Sequence, residues 1–243
     1  MAGVRIGTAG WSIPRHYADR FPTEGSSLER YSARFPVAEI NSSFHRPHRL
    51  ATWERWRDSV PESFRFSAKL PKRVTHEKKL VDCSEELDSF AEQVAVLGEK
   101  LAVLLVQLPP KLTFHPDIAA KFFDELRARS PAQVACEPRN MSWFTPAADA
   151  LLDDLRVARV AADPAICADA AAPGGWNGLS YWRLHGSPAM YRSPYGDRVI
   201  GYAGDLKAAA QRAGDTWCIF DNTASSAAMG DALRLLDELS SSA

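Results

Sequence analysis

The chain has 243 residues, of which 46% are hydrophobic, and this is ample for a sizeable core. Its formal net charge of -1 argues against a protein that holds nucleic acid through a global positive field. The 4 cysteines form no CxxC pair and the first residues lack the apolar run of a secretory signal, so we expect a cytoplasmic protein without a disulfide or zinc framework. No segment is long and apolar enough to cross a membrane, and no membrane partner is expected.

Eight segments have the composition of β-strands, because they are rich in β-branched or aromatic residues and are bounded by glycine, proline, asparagine or aspartate. In chain order they are 4–10, 37–42, 65–70, 101–108, 133–138, 157–163, 179–186 and 216–222. Helical patterns follow seven of them, over 26–35, 50–60, 84–100, 116–130, 145–156, 204–214 and 225–240. Ser26 or Ser27 is the expected N-cap of the first helix.

The gap after the sixth strand, residues 165–178, is predicted to be a loop with a short or missing helix. Strands that alternate with helices predict parallel βαβ units. About eight such units in this length predict a closed (β/α)₈ barrel of the TIM type, as a single domain over residues 1–243. A doubly wound open sheet is the alternative. That fold usually has fewer strands, and the chain has no GxGxxG at its first strand-to-helix turn.

The second strand shows which side chains would face the lumen of the barrel. Alternate residues of a barrel strand face the helices and the lumen. Because the helix-facing side must be apolar, Ala38 and Ile40 are predicted to face outward, and Glu39 and Asn41 inward. The same rule places further polar residues near the lumen, namely Arg65, Ser67, Lys69, Gln107, Glu137, Asp163 and Asp221. On the seventh strand either Arg183 with His185 or their neighbours face inward, and Trp182 and Leu184 are the better helix-facing choices.

These lumen residues have two interpretations. In the first, Glu39–Lys69 and Arg183–Asp221 are paired charges that only fill the barrel. Buried ion pairs are weak evidence of stabilisation, because desolvation offsets most of the attraction, and valine or leucine would fill a lumen more easily. The second interpretation is a site. Most of these residues lie toward the carboxyl ends of their strands, which is the face where such barrels build active sites.

Several motifs carry a family resemblance. They are GTAGW (7–11), EINSSFHR (39–46), FRFSAKLP (64–71), THEKKL (75–80), LLVQLPP (104–110), EPRNMSWF (137–144), YWRLHG (181–186) and FDNTASSAA (220–228). Together they resemble the YecE-like family, also called domain of unknown function 72, over nearly the whole chain. The family pattern usually reads EFRHxSW where this chain has EPRNMSW, so Pro138 replaces an aromatic residue and Asn140 a histidine. The resemblance implies a barrel fold and no established activity.

The strand ends and motifs supply the candidate site residues. The candidate catalytic residues are Glu39, Lys69, Glu137, His185 and Asp221. The candidate substrate-binding residues are Trp11, Asn41, His76, Gln107, Arg139, Arg183, Tyr191, Arg192 and Asn222. The simplest mechanism is general acid/base catalysis by Glu137 or His185, with Lys69 or Arg183 stabilising developing negative charge.

No cofactor is predicted, although a divalent metal ion is an alternative. Five candidate donors are suited to Mg²⁺, Mn²⁺ or Zn²⁺, namely Glu39, Glu137, Asp163, His185 and Asp221. However, the chain has neither an HExxH motif nor clustered ligand spacing, and the nearby Lys69, Arg139 and Arg183 would oppose a cation.

Two functions from different classes fit these residues. The first is an enzyme for a small polar or anionic substrate, with hydrolase, lyase and isomerase chemistry all open. The loop 187–197 is predicted to fold over the mouth and to hold an anion through Arg192. The alternative is a non-catalytic module for nucleic acid or another phosphate-bearing ligand, using Trp11, Trp143, Tyr191 and Tyr195 together with Arg46, Arg49, Arg192 and Arg198. The oligomeric state is left open.

Overall fold

The structure is a computed structural model that describes residues 3–212 and 214–241. Within these ranges the strands are β1 (Val4–Thr8), β2 (Val37–Ile40), β3 (Arg65–Lys69), β4 (Leu101–Gln107), β5 (Gln133–Glu137), β6 (Val157–Arg159), β7 (Ala161–Asp163), β8 (Gly174–Gly175), β9 (Leu179–Leu184) and β10 (Asp215–Phe220). The α-helices are α1 (Ser27–Ser32), α2 (Leu50–Asp58), α3 (Ser84–Ala95), α4 (Pro116–Arg129), α5 (Pro146–Asp154), α6 (Gly201–Ala210) and α7 (Ala227–Ser241).

The strands close into a barrel. One run of hydrogen-bonded neighbours has the order β1-β10-β9-β7, and the other has the order β2-β3-β4-β5-β6-β8. The strands β6 and β7 are two halves of one strand, interrupted at Val160, and each half pairs with a different run. Eight parallel strand positions therefore form a ring, which confirms the predicted (β/α)₈ barrel. The first and last strands are neighbours, as predicted, with Val4 opposite Thr216.

The barrel closes between β1 and β2 through a tyrosine side chain. Only an isolated bridge between Ala9 and Glu39 joins the two strands directly. Below it, the buried hydroxyl of Tyr31, from α1, accepts the backbone N–H of Thr8 at 2.8 Å and donates to the backbone carbonyl of Val37 at 3.0 Å. The Tyr31 hydroxyl thus takes the place of a direct hydrogen bond between the strands.

The connection after the sixth strand has no α-helix, as predicted. It contains a 3₁₀ turn, Ala168–Ala171, and the short strand β8, which pairs antiparallel with β6. The side chain of Arg159 occupies this region, where it donates to the Asp149 carboxylate at 2.7 Å. A Cβ atom at Gly174 would lie 2.2 Å from the Arg159 guanidinium, so a side chain at this position would displace Arg159 from its contacts.

The ring of strands has one apolar layer outside it and another inside it. The larger core lies between the strands and the helices. A smaller one fills the lumen and consists of Val37, Val103, Leu105, Ala135, Ala158, Val160, Leu179, Tyr181, Trp217 and Ile219. Polar residues follow on the same strand faces toward the carboxyl ends, so the apolar plug forms the floor of the mouth.

Local sequence signals explain several helix starts. The Ser26 hydroxyl accepts the backbone N–H of Glu29, and the Glu29 carboxylate accepts the backbone N–H of Ser26, which is a capping box. Proline occupies the first turn of both α4 and α5, where its missing N–H leaves no donor unpaired. Among the described residues, no helix is both long enough and apolar enough to span a membrane.

Candidate functional site

Arg183 lies at the centre of a buried charged cluster at the carboxyl ends of the strands. Its Nε and Nη2 donate to the two carboxylate oxygens of Glu39 at 3.0 and 2.7 Å. Its Nη1 donates to Glu137 Oε2 at 2.5 Å, and Nη2 also donates to Asp221 Oδ2 at 2.8 Å. Arg183 and Glu39 have no exposed surface. One guanidinium therefore binds three carboxylates from three different strand positions, as its rigid fork of donors allows.

These contacts determine the charge states. Burial alone would raise the pKa of Glu137, but Arg183, then His185 and Arg139, outweigh it and hold that pKa well below its usual value. The pKa of Asp221 is also lowered, because Arg183 and His185 outweigh its burial. Burial would lower the pKa of Arg183, whereas Glu39, Asp221 and Glu137 raise it far above the ordinary value. Glu137, Asp221 and Arg183 are therefore ionised at neutral pH.

His185 lies between two carboxylates of the cluster. Its Nδ1 is 3.0 Å from Asp221 Oδ2, and its Nε2 is 3.0 Å from Glu137 Oε1. Arg139 approaches the same side, with its Nη2 3.0 Å from His185 Nε2 and its Nε 2.7 Å from Glu137 Oε1. His185 is fully buried, so these contacts fix the orientation of the ring and of Arg139 beside it.

Two further polar side chains complete the upper layer. Gln107 donates to Glu137 Oε1 at 3.0 Å, and Asn41 donates to Asp221 Oδ1 at 3.3 Å. The other amide atom of Asn41, Oδ1, is buried and has no hydrogen-bond partner among the described residues. A buried acceptor without a partner is costly in protein alone.

Lys69 differs from the other cations of the site. It is only 6% exposed, yet its ammonium group makes no hydrogen bond or ion pair with any residue that the structure describes. Its nitrogen lies 4.1 Å from the centre of the Phe44 ring. Burial and the nearby Arg183 lower the pKa of Lys69 to about 8, although the three carboxylates oppose this shift. Part of this lysine is therefore neutral near physiological pH.

His76 packs against the same phenyl ring as Lys69. Its ring centre is 5.0 Å from that of Phe44, and its Nδ1 is 2.9 Å from the Thr75 hydroxyl. Burial, together with Lys69, Lys72 and Arg139, lowers the pKa of His76 below its usual value. The imidazole is therefore mostly neutral at pH 7, when it can accept a proton.

The loop 187–197 folds over part of the mouth, as predicted. The Tyr191 hydroxyl lies 3.5 Å from Arg139 Nη2, and its ring is 5.5 Å from that of His185. The prediction for Arg192 is not supported by its placement. Its side chain is exposed and forms no hydrogen bond or ion pair within the described part of the chain. Tyr191 has a positive φ of 65°, and the turn directs Tyr191 rather than Arg192 toward the site.

Two other predicted substrate-binding residues lie away from the cluster. Trp11 packs edge-on against Trp56 and the outward-facing Phe66, so it belongs to the core between strands and helices. Asn222 is fully buried and donates to Asp231 at 2.7 Å and to the Ser193 backbone at 3.0 Å. It anchors the 187–197 loop, and a ligand at the mouth cannot reach it in this conformation.

Three more expectations are corrected by the structure. Asp163 was expected near the lumen, but it accepts hydrogen bonds from Tyr195 and Tyr202 on the outer side of the barrel. Trp143 and Tyr195, which the nucleic-acid alternative requires as stacking platforms, are buried in the core. Burial leaves their ring faces unavailable to bases.

Sequence reasoning missed two residues that shape the site. The Tyr181 hydroxyl donates to Glu39 Oε2 at 3.0 Å, and it lies 2.8 Å from the Ser67 hydroxyl. Its position two residues before Arg183 on the same strand was a usable signal, because both face the lumen. Phe44, which contacts Lys69, lies in the loop after β2, where no periodic pattern indicates its direction.

Asn140, the departure from the family pattern, has a structural role. Its Oδ1 accepts the backbone N–H of Ser142 at 3.1 Å, and its Nδ2 donates to the Pro110 carbonyl at 2.7 Å. It caps the short turn that follows β5. For the metal alternative, no group of three or more histidine, cysteine, aspartate or glutamate residues is arranged to hold a metal ion within 3–212 and 214–241.

Several cavities lie within the described part of the chain, and two of them exceed 500 Å³. One, of about 650 Å³, lies between the loops after β2 and β3, and Phe44 forms part of its wall. The other, of about 520 Å³, lies near the amino end of β9, beside the segment that replaces the missing helix, and none of the cluster residues line it. Phe44 thus borders the first cavity and also contacts Lys69.

Comparisons with known proteins agree with this fold. Two relatives match part of the chain: UPF0759 protein YunF of Bacillus subtilis is 29% identical over 152 residues (59% of this chain, 53% of that protein), and UPF0759 protein YecE of Escherichia coli K12 is 27% identical over 113 residues (46% and 39%). The matched segments span about half of YunF and less of YecE.

Solved structures extend the match to the whole barrel. A DUF72 family protein of Enterococcus faecalis V583 superposes with a TM-score of 0.82 at 20% identity, covering 98% of this chain and 95% of the other. D-allulose 3-epimerase of Methylomonas sp. superposes with a TM-score of 0.53 at 13% identity, covering 99% and 97%, which is a likeness of fold alone. The model of the family "Protein of unknown function DUF72" matches residues 5–243, and the chain belongs to that family.

Proposed function

We propose that this protein is an enzyme that binds a small anionic substrate at the barrel mouth and transfers protons to and from it. The observation that carries the proposal is the layering of charge. The carboxylates Glu39, Glu137 and Asp221 and the Lys69 side chain are all buried, whereas Arg139 is only partly buried and lies at the edge of the cluster. An approaching ligand therefore meets the Arg139 guanidinium before the carboxylates.

The proposed roles follow from the contacts. Arg139 binds a carboxylate or phosphate of the substrate, because Glu137 and His185 hold its guanidinium at the rim. Lys69 acts as the general base, since a pKa of about 8 leaves some free amine at neutral pH. Asn41 supplies an unpaired acceptor for a substrate hydroxyl or amide. Arg183 fixes the carboxylates and touches no substrate.

The alternative is that the charges only stabilise the barrel. That alternative explains the contacts of Arg183, but it does not explain why Lys69 is buried. Arg183 has a carboxylate partner for each nitrogen of its fork. Lys69 has none within ion-pair distance among the described residues, and removing most of a lysine side chain from water without a carboxylate partner is unfavourable. A destabilising residue in a cleft is expected where function requires it.

Thermal-shift measurements test the proposal without knowledge of the substrate. Wild type, Lys69→Met, Arg139→Gln and the surface control Lys72→Met would be melted with inorganic phosphate, small carboxylates, sugar phosphates and sugar acids. At least one anion class should raise the melting temperature of wild type and Lys72→Met. The same ligand should give a much smaller shift in Lys69→Met and Arg139→Gln, and its conversion would then be followed by NMR.

Two results would contradict the proposal. One is that no anion in the panel raises the melting temperature of the wild type. The other is that Lys69→Met and Arg139→Gln respond to a binding anion as strongly as the wild type. Because each shift is measured relative to the same variant without ligand, a change in basal stability does not affect the comparison.

A further inference from the structure

The amine of Lys69 is placed for covalent chemistry. Its side chain is more than nine-tenths buried, and its nitrogen faces the Phe44 ring at 4.1 Å with no hydrogen-bond or ion-pair partner within the described residues. The neighbouring carboxylates are already engaged by Arg183, His185 and Arg139. Nothing in the site therefore occupies the lone pair of the neutral amine.

We propose that Lys69 is a nucleophile that forms an imine with the aldehyde or ketone group of an anionic substrate, an inference that rests on the proposed function. The geometry provides the two groups that such a substrate requires. Arg139 presents N–H donors at the rim for the anionic group, and Lys69 presents the amine on the same cluster. The Phe44 ring gives the reacting carbon an apolar wall, which limits competing water.

The chemistry is balanced without a further reactant. The lone pair of the neutral amine forms the C–N bond, and the carbonyl π electrons move to the oxygen, which gains a proton as the nitrogen loses one. The resulting carbinolamine then loses its hydroxyl group as water with one more proton, and a C=N bond replaces C=O. No oxidant or reductant is needed.

The electrostatics support the nucleophile. With a pKa of about 8, roughly a tenth of Lys69 is neutral at pH 7, far more than for a lysine in water. A desolvated lysine next to another cation is a recognised route to an activated amine. Arg183 supplies that cation, and the mostly neutral His76, which also contacts Phe44, is a nearby acceptor for the released proton.

Reductive trapping tests the inference. The protein would be incubated with glyoxylate or pyruvate as anionic carbonyl probes, or with propanal as a neutral one, and reduced with borohydride. Peptide mass spectrometry would then locate the secondary amine among the 8 lysines of the chain. We expect Lys69 to be labelled by an anionic probe roughly tenfold or more faster than exposed Lys72. Labelling of Lys69 should rise with pH around a midpoint near 8.

Variants and an unfolded sample test whether fast labelling of Lys69 depends on Arg139 and on the folded site. Lys72→Met should keep the fast label, and Arg139→Gln should slow labelling by glyoxylate but not by propanal. Unfolding in urea should abolish the preference for Lys69. If Lys69 is labelled no faster than Lys72 by any probe, the imine inference is wrong. If anions still shift the melting temperature in that case, Lys69 is only a base or a binding residue, and the proposed function stands without the imine.

Discussion

At the scale of single residues, Arg183 and Lys69 show two uses of a buried cation. Arg183 is fully buried, but three carboxylates offset its desolvation, and its pKa stays far above neutral pH. Lys69 keeps a compact ammonium with no partner at hydrogen-bond distance in the described structure, and its pKa falls to about 8. A guanidinium suits the structural centre and an amine suits the reactive edge, because only the amine readily loses its proton.

Replacing Lys69 with methionine is expected to stabilise the protein at pH 7. The unfolded chain binds a proton at Lys69 up to about pH 10.5, whereas the folded chain releases it near 8, so wild-type stability rises with pH between these values. Lys69→Met removes the buried ammonium and should gain about 1–3 kcal/mol at pH 7. Urea unfolding should show this gain in the free energy of unfolding at pH 7 and a smaller gain near pH 10.

The exposed Lys72 provides the matched control. It lies three residues away and pairs with Glu77 at 3.7 Å on the surface. Lys72→Met should change stability by less than about 0.5 kcal/mol at either pH. A Lys69→Met protein that is less stable than wild type at pH 7 would show that the ammonium helps to hold the cluster together.

At the scale of secondary-structure elements, the weakest seam is the one between β1 and β2. Tyr31, from α1, spans this seam by bonding the Thr8 N–H and the Val37 carbonyl. Gly7 lies at the same seam, where a Cβ would come within 2.4 Å of the Val37 carbonyl oxygen. The close approach of the two strands therefore requires glycine at position 7 of β1. It also requires a long side chain with a hydroxyl group, that of Tyr31, to bond both strands.

Removing the Tyr31 hydroxyl should weaken the closure of the barrel. Tyr31→Phe keeps the packing of the ring but leaves one buried N–H and one buried C=O without their partner, at a cost of about 1–3 kcal/mol each at most. Urea unfolding should report a loss in this range. In contrast, Tyr191→Phe, which alters a partly exposed hydroxyl, should lose less than about 0.5 kcal/mol. Equal effects of the two substitutions would show that the seam does not depend on Tyr31.

At the scale of the whole molecule, the Arg183 cluster ties distant strands together. Glu39 is on β2, Glu137 on β5 and Arg183 on β9, and Asp221 follows β10. Breaking one of these buried pairs leaves another charge uncompensated. The stability of the barrel should therefore depend on pH through its carboxylates.

Glu137→Gln tests this dependence. The pKa of Glu137 is lower in the folded state than its ordinary value of 4.5, so its contribution is present above that value and is lost as pH falls through the folded pKa. The substitution should cost about 3–5 kcal/mol at pH 7. The difference from wild type, followed by urea unfolding, should narrow below about pH 4.

An exposed carboxylate serves as the comparison. Glu24→Gln, on a surface loop, should leave both the stability at pH 7 and its decline in acid unchanged. The difference in the free energy of unfolding between wild type and Glu137→Gln could instead stay constant down to pH 3. In that case the substitution removes a packing contact rather than a charge interaction.

The sequence by itself determined the order of the strands and, apart from Asp163 on the interrupted sixth strand, which of the site residues on them face the lumen. The alternation of Ala38 and Ile40 with Glu39 and Asn41 is a local pattern, because the side chains of a strand alternate with a period of two. Applied to every strand, the pattern predicted Lys69, Glu137 and the other residues that the structure brings together. It also predicted the missing helix, since residues 165–178 have no helical periodicity.

The tertiary structure alone decided which charges meet. Arg183 and Glu39 are 144 residues apart, and their contact depends on barrel closure and on side-chain reach across the lumen. The expected Glu39–Lys69 pair did not form, because Arg183 occupies both Glu39 oxygens and leaves the lysine without a partner. Loop residues such as Trp11 and Arg192 were misplaced for a related reason. Loops have no side-chain period, so their direction is determined only by the surface on which they pack.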